Sequence, residues 1–369
     1  MPRHRCDVCL SESAAVMKKG CACRGGDNEH AHVKCYSEFA RRSAAVPGSV
    51  TREEEEAASM SWQICPTCNQ NFTGPFRLSL AVRRHELSKT MPLNLKTWWE
   101  KCSAILLLGQ AYWYAKQVHN AYAAFQSGVS MMKKTHDMFL TCATDTQWDA
   151  DSNANDTMWV NLLHGCAMSC LKMGQKAKAI DIYHELVREC LKRYPLQSVR
   201  VQHLKLALVR AQLSANSPHM TPEKAEAVFM DALAVYIKTY GRNHRSTLNV
   251  AELWCRFKLG TPVNCIPSNA DCTEADAARV AETAKDIWEQ QKQLLGVEHP
   301  DAMNTMTTYA AAMIRLRRPA DALRMIQGYV PRHPVLYVLE RETARANQLR
   351  RSERRASMVA TKSISELFK

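Results

Sequence analysis

Four short pairs of metal-ligand residues crowd the start of this 369-residue chain: Cys6-x2-Cys9, Cys21-x-Cys23, His32-x2-Cys35 and Cys65-x2-Cys68. No other feature narrows the accessible folds as much. Side chains one to four residues apart reach one ion from a single tight loop, because zinc–sulfur and zinc–nitrogen bonds are only about 2.0 to 2.3 Å long. Eight such ligands suffice for two closed tetrahedral sites, and Gly20, Gly25 and Gly26 permit the tight backbone such loops require. This segment also has few large apolar side chains, too few to fold on burial alone. Structural zinc contributes on the order of 10 to 16 kcal/mol in small domains, enough to supply the deficit.

Cysteine usage sharpens this reading. Of fifteen cysteines, seven precede residue 69 at mostly paired spacings and eight are scattered singly through helical sequence and loops. The first group reads as metal ligands, the second as mostly small buried hydrophobes. The opening MPRHRCDVCL has no apolar stretch of the secretory kind. The longest apolar run, around AILLLGQAYWYA, falls short of the roughly 20 residues a membrane span needs. The expectation is a soluble intracellular protein, cytoplasmic or nuclear. With 46% apolar residues and no low-complexity tract, the chain reads as globular, in two or three domains.

The ligand order, four cysteines, one histidine and three cysteines with a one-residue gap in the second pair, resembles the RING-CH (RINGv) finger of the membrane-associated RING-CH ubiquitin ligases. The resemblance covers residues 6 to about 76. It implies two zinc ions with alternating ligands: Cys6, Cys9, His32 and Cys35 on one, and Cys21, Cys23, Cys65 and Cys68 on the other. His30 competes with His32, whose two-residue gap to Cys35 matches the family. RING-type ligases bind a ubiquitin-charged conjugating enzyme through a shallow apolar patch, and Val8, Phe39 and Pro66 stand at the positions the family uses for it. Packing of Val8 and Phe39 into a small core is the alternative. Two departures stand out. Cys35 and Cys65 are separated by 29 residues that include the acidic TREEEEAAS, and Asn69 follows Cys68 where active RING domains often carry a cation. A PHD finger shares the ligand order but fits less well, because Trp62 lies three residues before Cys65 and the second pair is too close.

Beyond CPTCNQNFTGPF the sequence becomes long amphipathic segments with prolines mainly at joints, a helical pattern. A small residue followed twelve positions later by Ala and sixteen later by a large apolar residue recurs as Gly109, Ala121, Phe125; as Ala167, Ala179, Tyr183; and as Ala310, Ala322, Ile326. This register resembles the tetratricopeptide (TPR) repeat, in which small residues let paired helices approach and an aromatic fills the adjacent hole. A degraded unit begins at Leu208 and continues with Ala225, Phe229 and Ala232. Another starts in STLNVAELWCRFKLG and is broken by TPVNCIPSNADCTE. TYGRNHRSTLN and LLGVEHPDAMNTM resemble the Gly-x-x-His linkers of kinesin-light-chain-like TPRs. The expected organisation is a RING-CH-like finger over 1–76, four to five TPR-like helix pairs over 77–335, and a capping helix with a basic tail over 336–369.

The net charge of +13 is concentrated toward the C-terminus, but no nucleic-acid-binding module is recognisable. Ser357 in RRAS resembles a basophilic kinase site. His164, Cys166 and Cys170 share a helix at core spacing, and Trp98, Trp99, Trp159, Trp254 and Trp288 read as packing residues. No phosphate-binding loop, nucleophile elbow or carboxylate pair stands out. The fold class expected is mainly α, a small double-zinc RING-like finger followed by an α-helical TPR solenoid. Its expected function is that of a ubiquitin-protein ligase acting without a covalent intermediate, the finger recruiting a conjugating enzyme and the solenoid groove a protein or peptide substrate. The alternative is a non-catalytic zinc-finger and TPR scaffold.

Overall fold

Two short antiparallel ribbons open the chain in the computed structural model: β1 (His4–Arg5) pairs with β2 (Glu12–Ser13), and β3 (Met17–Lys18) with β4 (His30–Ala31). The structure describes residues 4–13, 15–21, 30–44, 60–93, 97–142, 148–260, 272–297, 299–330, 335–349 and 352. Cys23, Gly25 and Gly26, the acidic run at 51–59, most of the loop at 261–274, Pro334 and the tail around Ser357 lie outside the described residues. Strands of two residues are too short to persist unaided. They are held by α1 (Val33–Ala44) and α2 (Gly74–Lys89), whose side chains close a small core above them.

That core is aromatic. Tyr36, Phe72 and Phe76 meet edge to face with ring centroids 5.0 to 5.7 Å apart, the geometry that ring quadrupoles favour. Trp62 and Leu80 join them, and so do Leu107, Leu108 and Ala111 of α3 (Trp98–Tyr114). The shortage of apolar side chains in the finger is therefore relieved in part by the first repeat helix. Charge-assisted bonds reinforce the join: buried Arg84 donates to both carboxylate oxygens of Glu100, at 2.9 and 2.7 Å, and Lys101 Nζ donates to the Ser88 carbonyl at 2.6 Å.

Five helix pairs follow among the described residues. They are α3 with α4 (Val118–Cys142), α5 (Trp148–Lys172) with α6 (Lys176–Arg193), α7 (Val199–Ser214) with α8 (Pro222–Tyr240), α9 (Arg245–Leu259) with α10 (Glu274–Leu295), and α11 (Pro300–Arg315) with α12 (Pro319–Tyr329). A last helix, α13, spans 335–349. Gly109 is buried in α3, and so in their helices are Ala121, Phe125, Ala167, Ala179, Tyr183, Ala225, Phe229, Ala232, Ala310, Ala322 and Ile326, whereas Leu208, which begins the degraded unit, is half-buried. The helix starts explain the joints. Ser198, Thr221 and Thr273 accept backbone N–H bonds as N-caps, and His244 and His299 do the same through Nδ1. Both histidines stand three residues after a glycine, Gly241 or Gly296, whose φ of +89° or +88° turns the chain.

The chain divides into two compact units, Met1–Leu186 and Val187–Lys369. In the second, Phe229 and Phe257 stack at 5.2 Å, and fully buried Trp288 meets Tyr329 edge-on at 4.8 Å. The expectation for the scattered cysteines holds at Cys102, Cys166, Cys170, Cys190 and Cys255, all buried, and burial pushes the Cys166 thiol up to about 12. Trp98 and Trp254 are buried as well. No described helix is long and apolar enough to cross a membrane.

Candidate metal centre

The two Cys-x2-Cys pairs fold into the same local structure. In the first, Leu10 N donates to the Cys6 carbonyl at 2.9 Å, Cys6 N donates to the Ser11 carbonyl at 3.0 Å, and Arg5 pairs across the ribbon with Glu12. In the second, Asn69 N donates to the Cys65 carbonyl at 2.8 Å, Cys65 N to the Gln70 carbonyl at 2.9 Å, and Ile64 bridges to Asn71. The residue after each pair is left-handed, Leu10 at φ +62° and Asn69 at φ +53°. That conformation suits Asn, whose short polar side chain tolerates it. The backbone at Cys68 thus gives Asn69 a local reason to be there.

These turns collect the ligands. The donor atoms of Cys6, Cys9, His32 and Cys35 all lie within 4.8 Å of one another, and so do the sulfurs of Cys21, Cys65 and Cys68. His32 Nδ1 is 3.5 Å from Cys9 Sγ and 3.7 Å from Cys35 Sγ. Sulfur and nitrogen bound at about 2.3 and 2.0 to 2.1 Å to one tetrahedral ion would stand about 3.6 Å apart, so the spacing fits. His32 N also donates to Cys6 Sγ at 3.4 Å. His30 instead lies in β4, its carbonyl accepting from Asp7 N at 3.0 Å. Cys23, the fourth ligand expected for the second cluster, lies outside the described residues.

The thiols of the first cluster act on one another. Hydrogen bonds from the Ser11 hydroxyl and backbone hold the Cys9 thiol down to about 6, while burial and the neighbouring Cys9 and Cys6 sulfurs push Cys35 up to about 11. Crowded thiols oppose one another's ionisation, and a divalent ion among them removes the conflict. The four donors of the first cluster therefore fit a soft-ligand tetrahedral metal, and the three described sulfurs of the second could hold a metal ion as well.

Several supporting residues lie beside the ligand pairs. Lys19 is buried and its ammonium bonds to Asp7 Oδ2, inside the first Cys pair. Burial works against its charge, but the bond and charge of Asp7 and the nearby Cys65 and Cys21 outweigh it and raise its pKa. Gly20 adopts φ +68°, and a Cβ there would sit 2.3 Å from Thr73 Oγ1, which donates to the Gly20 carbonyl at 2.6 Å. A side chain there would be strained by the positive φ and would displace the Thr73 hydroxyl. Around the clusters, Val8 is 41% exposed, Phe39 is 39% exposed and Pro66 is exposed, although all three are apolar.

No family model matches the chain, and no curated protein matches it. Among solved structures, the TPR-like repeats described as a Podosopora anserina kinesin light chain align at 15% identity and a TM-score of 0.41, covering 66% of this chain and 95% of that one. The BtubC (BKLC) protein from P. vanneervenii aligns at 13% identity and a TM-score of 0.47, covering 73% and 91%. Likenesses this loose say nothing about function. The chain's own packing shows TPR-like helix pairs, an architecture suited to protein–protein interaction, joined to two Cys/His clusters that could hold metal ions.

Proposed function

We propose that the protein is a RING-type ubiquitin-protein ligase. Its two clusters hold zinc as structural ions, its finger recruits a ubiquitin-charged conjugating enzyme, and its helix pairs recruit the protein substrate. The observation that carries this reading is the exposure of Val8, Phe39 and Pro66. In a finger so short of apolar side chains, burial would use them if nothing else did, yet the core is filled by Tyr36, Trp62, Phe72 and Phe76. Val8 is anchored through Cys9, and Phe39, four residues after Cys35, lies against Tyr36 with ring centroids 5.4 Å apart. Both therefore depend on the first cluster for their position. Pro66 depends on the second.

In this reading the chain does no covalent chemistry. A substrate lysine Nζ attacks the ubiquitin thioester carbonyl, the C–S bond breaks, and an isopeptide bond forms while a proton lost from the amine leaves with the conjugating enzyme's cysteine as the thiol. The protein's contribution is to hold the two reactants in line. The test is autoubiquitination by purified, metal-loaded protein across a panel of conjugating enzymes, with Val8→Ala and Phe39→Ala beside it. Chains formed by the wild type and lost in both variants are the expected result. No chains with any conjugating enzyme, from protein holding two zinc ions, would refute it and leave the non-catalytic scaffold.

A further inference from the structure

One helix belongs to both the finger and the first repeat. Phe76 of α2 meets Tyr36 and Phe72 edge to face in the aromatic core of the finger, while Leu80 and Ala81 share that core with Leu107, Leu108 and Ala111 of α3. Polar side chains join α2 to α3 at both ends. Near the start of α2, the Arg77 guanidinium lies over the Tyr114 ring at the end of α3, 4.2 Å from its centroid. Near the end of α2, Arg84 is bonded to Glu100 and the Ser88 carbonyl to Lys101, both at the start of α3, and Arg84 Nη2 also donates to Ser103 Oγ at 3.2 Å. The Arg84 side chain is 1% exposed, and its guanidinium stands 5.7 Å from the ring centroid of Trp62, three residues before Cys65.

A buried ion pair is a poor way to gain stability, because apolar residues of similar volume often do as well. What a bidentate pair supplies is direction, since the planar fork fixes its partner in angle as well as in distance. With Arg77 on Tyr114 at the far end, α2 resists turning on α3, and the finger cannot turn on α2 without opening its own core. We propose that α2 couples the finger rigidly to α3–α5, with Arg84 as the positioning residue, so that a conjugating enzyme seated on Val8, Phe39 and Pro66 faces one direction relative to these helices. The consequence is lysine selectivity, because transfer requires the amine and the thioester carbonyl to be aligned at close range. This inference rests on the ligase reading and adds to it the residue that aims the reaction.

Two measurements on the full, metal-loaded chain test it. The first needs no ligase activity: nitroxide labels on keto-bearing unnatural residues, in place of exposed Glu12 in the finger and exposed Ser127 in α4, give a distance distribution by pulsed electron paramagnetic resonance. The wild type is expected to show one narrow distance, and Arg84→Met, which keeps an apolar stem and removes the fork, a broad one. The second compares acceptors. Discharge of the charged conjugating enzyme onto free lysine needs only the finger and should match in the two proteins. Transfer onto the chain's own lysines, mapped by mass spectrometry, should fall at the sites the wild type prefers by up to about 100-fold relative to the others, the scale of a misplacement of about 1 Å. A broad distance in the wild type, a narrow one in Arg84→Met, or an unchanged lysine map overturns the coupling. If Arg84→Met loses metal or free-lysine discharge, its finger is damaged, and Lys101→Met, which leaves Arg84 in place, decides by the same readouts. A wild type that discharges onto no acceptor refutes the ligase reading, while the distance distribution still decides whether the finger and α3–α5 move as one body.

Discussion

Phe125 offers the sharpest test of the packing. Its ring lies between two glycines of successive helix pairs: a Cβ on Gly109 of α3 would sit 2.4 to 2.9 Å from three ring carbons, and one on Gly165 of α5 would sit 2.7 Å from three others. Gly109→Ala therefore sets two effects against each other. Alanine in a helix interior is favoured over glycine by about 1 kcal/mol. Overpacking a filled core costs about 1 to 3 kcal/mol, toward the upper end when the crowded group has nowhere to go. A ring pressed on one side by Gly109 cannot retreat without meeting Gly165, so about 3 less about 1 leaves a net loss of about 2 kcal/mol. For a unit of this size that corresponds to a fall of about 4 to 8 °C in the melting temperature of the α3–α5 region. Thermal unfolding by circular dichroism, with hydrogen exchange to assign the transition to these helices, measures it. In a Phe125→Leu background the same Gly109→Ala change should become neutral or stabilising, because the smaller side chain leaves room and the helix-propensity gain remains. A Gly109→Ala protein as stable as wild type, or one equally destabilised in both backgrounds, would refute the sandwich.

Serine at both Cys21 and Cys23 should reduce metal content from two ions to one by elemental analysis and leave most of the helical signal. Because the finger shares its core with Leu107 and Leu108, exchange protection in α3 should fall as well, whereas α7 to α12 should not change. Thr273→Ala removes a cap whose hydroxyl accepts from Asp276 N at 3.0 Å and donates to Asp276 Oδ2 at 2.7 Å, and should cost about 1 kcal/mol in urea unfolding near neutral pH. The Thr273 hydroxyl, aided by the charge of Lys258, holds Asp276 below its ordinary value of 3.8. That contribution is present above the unfolded value and is lost as the pH falls through the lower folded one. The gap between wild type and Thr273→Ala should therefore narrow in acid.

How much of this was legible beforehand depends on the range of the interaction. The ligand pairs could be read because each spans one to three positions, within reach of a single turn. The helix pairs could be read because small and large residues repeat at a spacing set by the helix and its joint. Gly165 carries no such mark, because its partner Phe125 lies forty residues away, in the preceding pair. Nor could spacing alone decide between His30 and His32. In the structure His30 pairs with Lys18 in a strand, whereas a ring nitrogen of His32 lies within 4.8 Å of the sulfurs of Cys6, Cys9 and Cys35.

Residue identity and spacing set the chemistry available and the order of the parts: soft ligands in short pairs, then helices whose small residues must meet large ones. Covalent spacing and helical period act within a few residues, so they survive in the linear text. Which elements share a core, why Gly20 and Asn69 occupy their positions, and that Lys19 pairs with Asp7 emerge from the fold in three dimensions. Those outcomes depend on close packing and on removing charge from water, and both exist only after distant segments have come together.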